Sequence, residues 1–169
     1  MSGIMLNQVG GSFGSLGFTE GSLWTWGGNF AGTLGLGNTT KYSSPKQVGS
    51  LTTWATASGL RNQAGGVDSA GRLYMWGQNA VGSLGLGNTN YYSSPKQVGA
   101  LTNWLSVNGY NVVVAIKTNG TIWGWGQNNN GQLGLGNTTN YSSPKQVGSL
   151  TKWHKADILL SGCIAQQFK

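Results

Sequence analysis

The chain has 169 residues and a formal net charge of +7, because ten lysines and arginines face only three acids. Charged residues make up 8% of the chain, against roughly 25% in an average soluble protein. Three acids, one His and one Cys are too few for paired-carboxylate catalysis, a calcium or zinc site, or a catalytic triad. We therefore expect a protein that is not an enzyme and that needs no cofactor or metal.

The sequence predicts no targeting segment. Residues 1–17 contain no basic region followed by an apolar run, and no stretch approaches the length of an apolar membrane span. The single Cys163 permits no internal disulfide, which fits a reducing compartment. We expect synthesis in the cytoplasm without a signal peptide, and no insertion into a membrane.

A repeat of about 50 residues organises the chain. Trp26, Trp76 and Trp125 are spaced by 50 and 49 residues. Residues 32–54 and 131–153 are identical at 20 of 23 positions. The pattern predicts three full units and about half of a fourth: unit 1 (1–49), unit 2 (50–99), unit 3 (100–148) and a half unit (149–169).

The sequence pattern of each full unit predicts four short β-strands. In unit 3, the apolar run Val112 to Ile116 is typical of a strand buried on both faces. The Asn119-Gly120 pair is a hairpin signal, and the segment Ile122 to Trp125 predicts an aromatic strand after it. A loop rich in Gly and Asn follows, and we expect a fourth strand that begins at Pro144. Four short strands per 50 residues predict an all-β fold of β-propeller-like blades, about three and a half per chain.

A long motif recurs in every full unit. It reads Gly-x-Leu-Trp-x-Trp-Gly-x-Asn-x-x-Gly-x-Leu-Gly-Leu-Gly-Asn-Thr in its fullest form, followed by Pro-Lys-Gln-Val and a Trp. It is carried by Leu23–Thr39, Leu73–Thr89 and Ile122–Thr138. The motif resembles the repeat of the regulator of chromosome condensation family, and the low charge and near-identical copies resemble its bacterial and bacteriophage members. The resemblance implies blades of four strands, which that family arranges as seven-bladed propellers.

Three and a half blades would leave two blade faces and a strand edge uncovered. Exposed apolar area and free strand edges of that extent favour association. We therefore expect a homo-oligomer, with two copies completing a ring, or a chain that sits in a larger protein assembly.

One candidate binding surface is a rim of basic and aromatic residues. Its members recur at the same place in successive units: Lys46, Lys96 and Lys145, each preceded by Tyr42, Tyr92 or Tyr141. Such a rim could engage an anionic glycan or a nucleic acid through lysine charge and tyrosine stacking. Repetition alone would also copy a solvated lysine with its unit.

Six tryptophans are the candidate core of the interfaces between blades. Large residues that recur at one position of a repeat usually fill the contact between neighbouring units. The six are Trp26, Trp76 and Trp125 at one position, and Trp54, Trp104 and Trp153 at another. The loop tips Phe30-Ala31, Ala80-Val81 and Asn129-Asn130 differ between units, as recognition loops often do.

Two classes of function fit the sequence. The first is a non-enzymatic structural or protein-interaction module, in particular a bacteriophage virion component such as a capsid decoration, tail or fibre protein, with host-surface binding as one role. The alternative, implied by the family resemblance, is a regulatory protein that binds chromatin or nucleic acid or acts on a small GTPase.

Overall fold

A computed structural model describes residues 3–8, 20–159 and 162–168, and half of the chain or so is strand. Unit 1 contains β1 (Gly3–Gln8), β2 (Gly21–Gly27) and β3 (Tyr42–Gln47). Unit 2 contains β4 (Trp54–Leu60), β5 (Gln63–Asp68), β6 (Leu73–Gly77) and β7 (Tyr92–Gln97). Unit 3 contains β8 (Trp104–Gly109), β9 (Val112–Lys117), β10 (Ile122–Gly126) and β11 (Tyr141–Gln146). The half unit contains β12 (Trp153–Leu159) and β13 (Gly162–Gln167), and a 3₁₀ turn lies at Phe30–Gly32 in unit 1.

The strands form antiparallel blades. Strands β4 to β7 pair in sequence order, and β8 to β11 repeat that arrangement. Strands β12 and β13 form a hairpin, while β2 lies between β1 and β3. The predicted fold class is therefore confirmed: an all-β chain of β-propeller-like blades. The exact unit boundaries stay a prediction.

The fourth strand of each unit differs from its prediction. Strands β3, β7 and β11 begin three residues before their proline, at Tyr42, Tyr92 and Tyr141, so the proline is inside the strand. Each of these strands pairs with one neighbour only, and a register shift interrupts each pairing. An edge strand with an irregular register tolerates a residue that has no N–H to donate.

Successive units are joined at one repeated backbone contact. Gly21 of unit 1 pairs with Trp54, the first residue of β4. In the next units, the Trp104 N–H donates to the Gly71 carbonyl at 3.1 Å, and the Trp153 N–H donates to the Gly120 carbonyl at 3.0 Å. The turn glycine of one unit thus fixes where the first strand of the next unit starts.

The core lies between the units as well as inside them. One buried cluster brings Leu23 and Val48 of unit 1 against Trp54 and Trp76 of unit 2. A second cluster joins units 2 and 3 and includes Met75, Leu84 and Trp125. Every residue of β9 is buried, as the apolar run predicts for a central strand.

Two glycines at matching positions allow a test of how the units pack. Gly82 has a φ of +75°, and a Cβ there would lie 2.6 Å from the Ser142 Cα of the next unit. Gly131 has a φ of +74°, but the nearest atom to its Cβ would be 4.0 Å away. Both positions favour glycine for their backbone conformation, and only Gly82 is also crowded.

We predict that Gly82→Ala lowers the free energy of unfolding more than Gly131→Ala does, by about 1–3 kcal/mol of overpacking. Urea denaturation of both variants, at a concentration where the chain is monomeric, measures the difference. An equal decrease in the free energy of unfolding of the two variants would contradict this prediction. It would show that the strained backbone conformation accounts for the whole loss and that the contact between the units is loose.

Candidate interaction surfaces

Four of the six candidate interface tryptophans are buried in the array. Trp76 and Trp125 are fully buried, and Trp54 and Trp104 nearly so. Trp54 packs edge-on against Tyr74 and Trp76, with ring centroids 5.4 and 6.0 Å apart. Trp104 packs in the same way against Trp123 and Trp125, at 6.1 Å from each. Such edge-to-face geometry is the favoured arrangement for aromatic pairs.

The loop of one unit receives the tryptophan of the next unit. The Trp76 indole N–H donates to the Thr33 carbonyl, and the Trp125 indole N–H donates to the Ser83 carbonyl, both at 2.9 Å. A Cβ on Gly35 would lie 2.8 Å from the Trp76 Nε1. The Gly-x-Leu-Gly-Leu-Gly loop therefore forms a cradle for an indole ring, and its glycines permit the close approach.

A second contact accompanies each indole. The Gly37 N–H donates to the Ser93 carbonyl at 2.8 Å, and the Gly87 N–H donates to the Ser142 carbonyl at 2.7 Å. These serines lie on β7 and β11, the fourth strands of the following units. The cradle thus contacts both the third and the fourth strand of its neighbour.

The two outermost faces of the described array lack this contact. Trp26, at the position of Trp76 and Trp125, is only half-buried. The cradle of unit 3 is also open, because a Cβ on Gly134 would meet only Val147, whereas the equivalent Gly35 touches an indole. Trp153 is half-buried as well, and no aromatic strand follows it among residues 162–168. Equivalent residues therefore differ in burial because their neighbours differ.

The basic rim lies on the edge strands. Lys46, Lys96 and Lys145 are exposed, and each Nζ lies over the ring of the tyrosine that precedes it, at 5.6, 5.6 and 5.5 Å from the centroid. The tyrosine hydroxyls are in turn held by asparagine side chains. Three similar Lys and Tyr pairs are thus presented along the strands β3, β7 and β11.

The three acids do not converge. Asp68 is buried and pairs with Arg72 at 2.6 Å, while its other oxygen accepts the N–H groups of Ala70 and Arg72. Asp157 accepts the Asn108 amide at 2.8 Å, and Glu20 is exposed. Among the described residues, no three His, Cys, Asp or Glu side chains cluster as metal ligands.

Burial shifts the pKa values of Cys163 and Lys117. Desolvation raises the pKa of the half-buried Cys163 thiol to about 11, which keeps it protonated and a poor nucleophile near neutral pH. Lys117 is buried, with its ammonium 3.6 Å from the centroid of the Trp123 ring and 4.7 Å from that of Trp104. Burial lowers the pKa of Lys117 below its ordinary value of 10.5.

Two cations that follow no repeat in the sequence become neighbours in the fold. Lys41 precedes β3, and Arg61 lies at the turn between β4 and β5, yet both line one cleft beside Phe30. Phe30 was predicted from the variable loop tips, but Lys41 and Arg61 were not, because two residues 20 positions apart give no periodic signal.

Repeated four-stranded blades, in which the loops of units 1 and 2 each hold the tryptophan of the next blade, define a repeat protein of the β-propeller class. The model of the "Regulator of chromosome condensation (RCC1) repeat" family matches residues 20–59, 70–115 and 119–157. The chain therefore belongs to the family of RCC1-repeat proteins, as the motif predicted. No curated protein sequence matches the chain.

Solved structures show the same fold. Human WBSCR16 superimposes with a TM-score of 0.74 at 21% identity, over 88% of this chain and 40% of that one. Prp20p from Saccharomyces cerevisiae, described with its binding to Gsp1p and histones, superimposes with a TM-score of 0.71 at 16% identity, over 85% of this chain and 38% of that one. A chain of the complex of Kap60 with yeast RCC1 (Prp20) has a TM-score of 0.69 at 16% identity, over 86% of this chain and 37% of that one. The chain thus spans about two fifths of the length of these structures.

The described part of the chain contains no helix with the length and apolar character of a membrane span.

We predict a pH-dependent contribution from Lys117. Because its pKa is lower in the folded than in the unfolded state, the unfolded state binds more protons between those two values. The free energy of unfolding of the wild type should therefore rise relative to Lys117→Met as the pH increases through that window towards 10.5. Paired denaturation curves across alkaline pH measure this difference. A fall would show that the two indole rings hold the ammonium more strongly than burial disfavours it.

Proposed function

We propose that the chain is a non-enzymatic structural module that assembles head to tail with further copies of itself. The observation that carries the proposal is the match between its two open faces. One face presents the half-buried Trp26, and the other presents the open cradle of Gly131 and Gly134. Inside the chain, the same two features meet twice and bury a tryptophan fully each time.

The contacts within the chain specify the junction. Trp26 of one copy would donate its indole N–H to the Gln132 carbonyl of the next, as Trp76 does to Thr33. The fourth strand β3 would bring Ser43 against Gly131, as β7 brings Ser93 against Gly32. Only 8% of the residues are charged, which favours association that buries apolar area at little electrostatic cost.

The half unit supplies a second part of the junction. Trp153 is the counterpart of Trp54 and Trp104, which each pack on two aromatic rings of the third strand. Trp24 and Trp26 of another copy would provide that pair of rings for Trp153. Strand β13 would then lie beside β2 as β5 lies beside β6, so β1, which pairs with β2 in the described chain, would have to leave.

Head-to-tail association predicts a defined pattern of variants. The wild type should be an oligomer by sedimentation velocity, and Trp26→Ala or Gly131→Ala alone should be a folded monomer by circular dichroism. Gly99→Ala is the matched control, because Gly99 also has a positive φ and open space around it but lies outside both faces.

Mixing the two variants tests the direction of assembly. The Gly131→Ala chain retains an intact Trp26, and the Trp26→Ala chain retains an intact cradle, so an equimolar mixture should form a heterodimer through one native junction. Deleting residues 1–19 should leave association intact. A wild-type monomer, or a mixture that remains monomeric while both variants are folded, would contradict the proposal.

The larger assembly we propose is a bacteriophage particle, in which the chain serves as a capsid decoration, tail or fibre component with a role at the host surface. Low charge, near-identical repeats and two open faces with matching features support this role. The direct test is mass spectrometry of purified particles of the phage that encodes the chain. Absence of the chain from those particles would refute the virion role.

Binding to nucleic acid by the basic rim is a second candidate, favoured by the three exposed lysines on the edge strands. It predicts that duplex DNA shifts in a gel at low salt, and that the replacement of Lys46, Lys96 and Lys145 by Gln reduces the dependence of affinity on salt. Affinity that is equal in the triple variant and the wild type would exclude the rim.

A further inference from the structure

A cleft of about 570 Å³ lies at the joint between units 1 and 2. The 3₁₀ turn that contains Phe30 lines one part of it, and the hairpin residues Arg61 and Asn62 line another. Lys41, which precedes β3, also lines the cleft. Its volume is within the range of sites that hold small ligands.

The cleft is positively charged. Lys41 and Arg61 are exposed, and neither forms an ion pair in the part of the chain that the structure describes, which includes all three acids. Arg61 also lines a neighbouring cavity with Asp157, but that carboxylate accepts hydrogen bonds from Asn108 and from the Ile158 N–H. The Arg61 guanidinium lies 5.1 Å from the centroid of the Tyr110 ring, a neutral group that brings no opposite charge to it.

The arrangement is particular to the joint between units 1 and 2. The position of Lys41 in unit 1 holds Tyr91 in unit 2 and Asn140 in unit 3, and the position of Arg61 in unit 2 holds Tyr110 in unit 3. Phe30 is replaced by Ala80 and Asn129. Repetition of the frame therefore does not account for two cations and an aromatic ring at one joint.

The local backbone presents these side chains outward. Ala31 and Arg61 both have φ values in the left-handed region, +56° and +57°, although neither is glycine. The loop donors next to Phe30 are already used, because the N–H groups of Gly32 and Thr33 bond within the turn. The Phe30 ring is 64% exposed. A ligand would therefore meet the two cationic side chains and an open aromatic face.

We propose that this cleft binds a sugar ring that carries one oxyanion, either a carboxylate or a phosphate. The Arg61 guanidinium offers a planar pair of donors to the oxyanion, and Lys41 adds a second charge. The exposed ring of Phe30 offers an apolar face for the C–H groups of the sugar. This inference gives a ligand class to the host-surface role proposed above, but it does not depend on self-association.

Binding can be measured by isothermal titration and by ligand-observed NMR on the full chain with three probes. N-acetylneuraminic acid carries a carboxylate, glucose 6-phosphate carries a phosphate, and N-acetylglucosamine carries neither. We expect one of the two anionic probes to bind, more weakly as salt is added, and the neutral probe not to bind. Which anionic probe binds identifies the oxyanion.

Variants locate the site. Lys41→Gln with Arg61→Gln should weaken binding about tenfold or more, because charge-assisted hydrogen bonds are the strong ones. Lys152→Gln with Lys155→Gln removes the same charge at two exposed positions outside the cleft lining and should retain affinity. Phe30→Ala should weaken binding without loss of the fold, since the ring is largely exposed.

Three outcomes would overturn the proposal: no binding by either anionic probe, equal binding of the neutral probe, or an equal loss in the cleft variant and its charge-matched control. The monomeric Trp26→Ala chain separates this site from self-association. It should bind the anionic probe as the wild type does, so that failure of the assembly proposal and failure of the cleft proposal give different results.

Discussion

The indole hydrogen bond between successive units is the contact on which the array depends. A buried indole N–H without an acceptor is costly, and the acceptors of Trp76 and Trp125 are backbone carbonyls of the preceding unit. The carbonyl comes close enough only because glycine follows in the loop, where a Cβ on Gly85 would lie 2.9 Å from the Trp125 Nε1. Trp76 and Trp125 thus depend on the preceding unit for their acceptor, so stability comes in part from pairs of neighbours, as in other repeat proteins.

Much of the fold follows from the sequence, since a 50-residue period fixes which residues share an environment. The apolar run in β9 and the hairpin at Asn119-Gly120 have local causes, and they were predictable. The burial of each tryptophan was less predictable from the sequence. Trp26 and Trp76 occupy the same position of the motif, and they differ in burial because a cradle loop precedes only Trp76 in the described chain. The cleft was not predictable, because Lys41 and Arg61 meet through the joint between Gly21 and Trp54 and not through any spacing in the chain.

The chain has few charged side chains, and the two that are buried at the end of a second strand each have a partner. The last residue of β5, Asp68, and the last residue of β9, Lys117, both pair with the first tryptophan of their blade. Asp68 is compensated there by Arg72, whereas Lys117 lies against two indole rings. Opposite charges at one position of the repeat show that the frame does not require a particular charge there. It requires a partner, ionic or aromatic, for whatever side chain is buried.

A frame repeated with few changes confines recognition to the positions that vary. The Lys and Tyr pairs recur once per unit, so they suit a partner that is itself periodic, whereas the cleft beside Phe30 occurs once per chain. A single cleft with two exposed cations would give modest affinity for the proposed ligand, because solvent screens both charges. Head-to-tail association would repeat that cleft at a fixed spacing, and a surface that offers many copies of one anionic sugar would then be bound by avidity. Assembly and recognition would then be coupled through geometry, although they would use different residues.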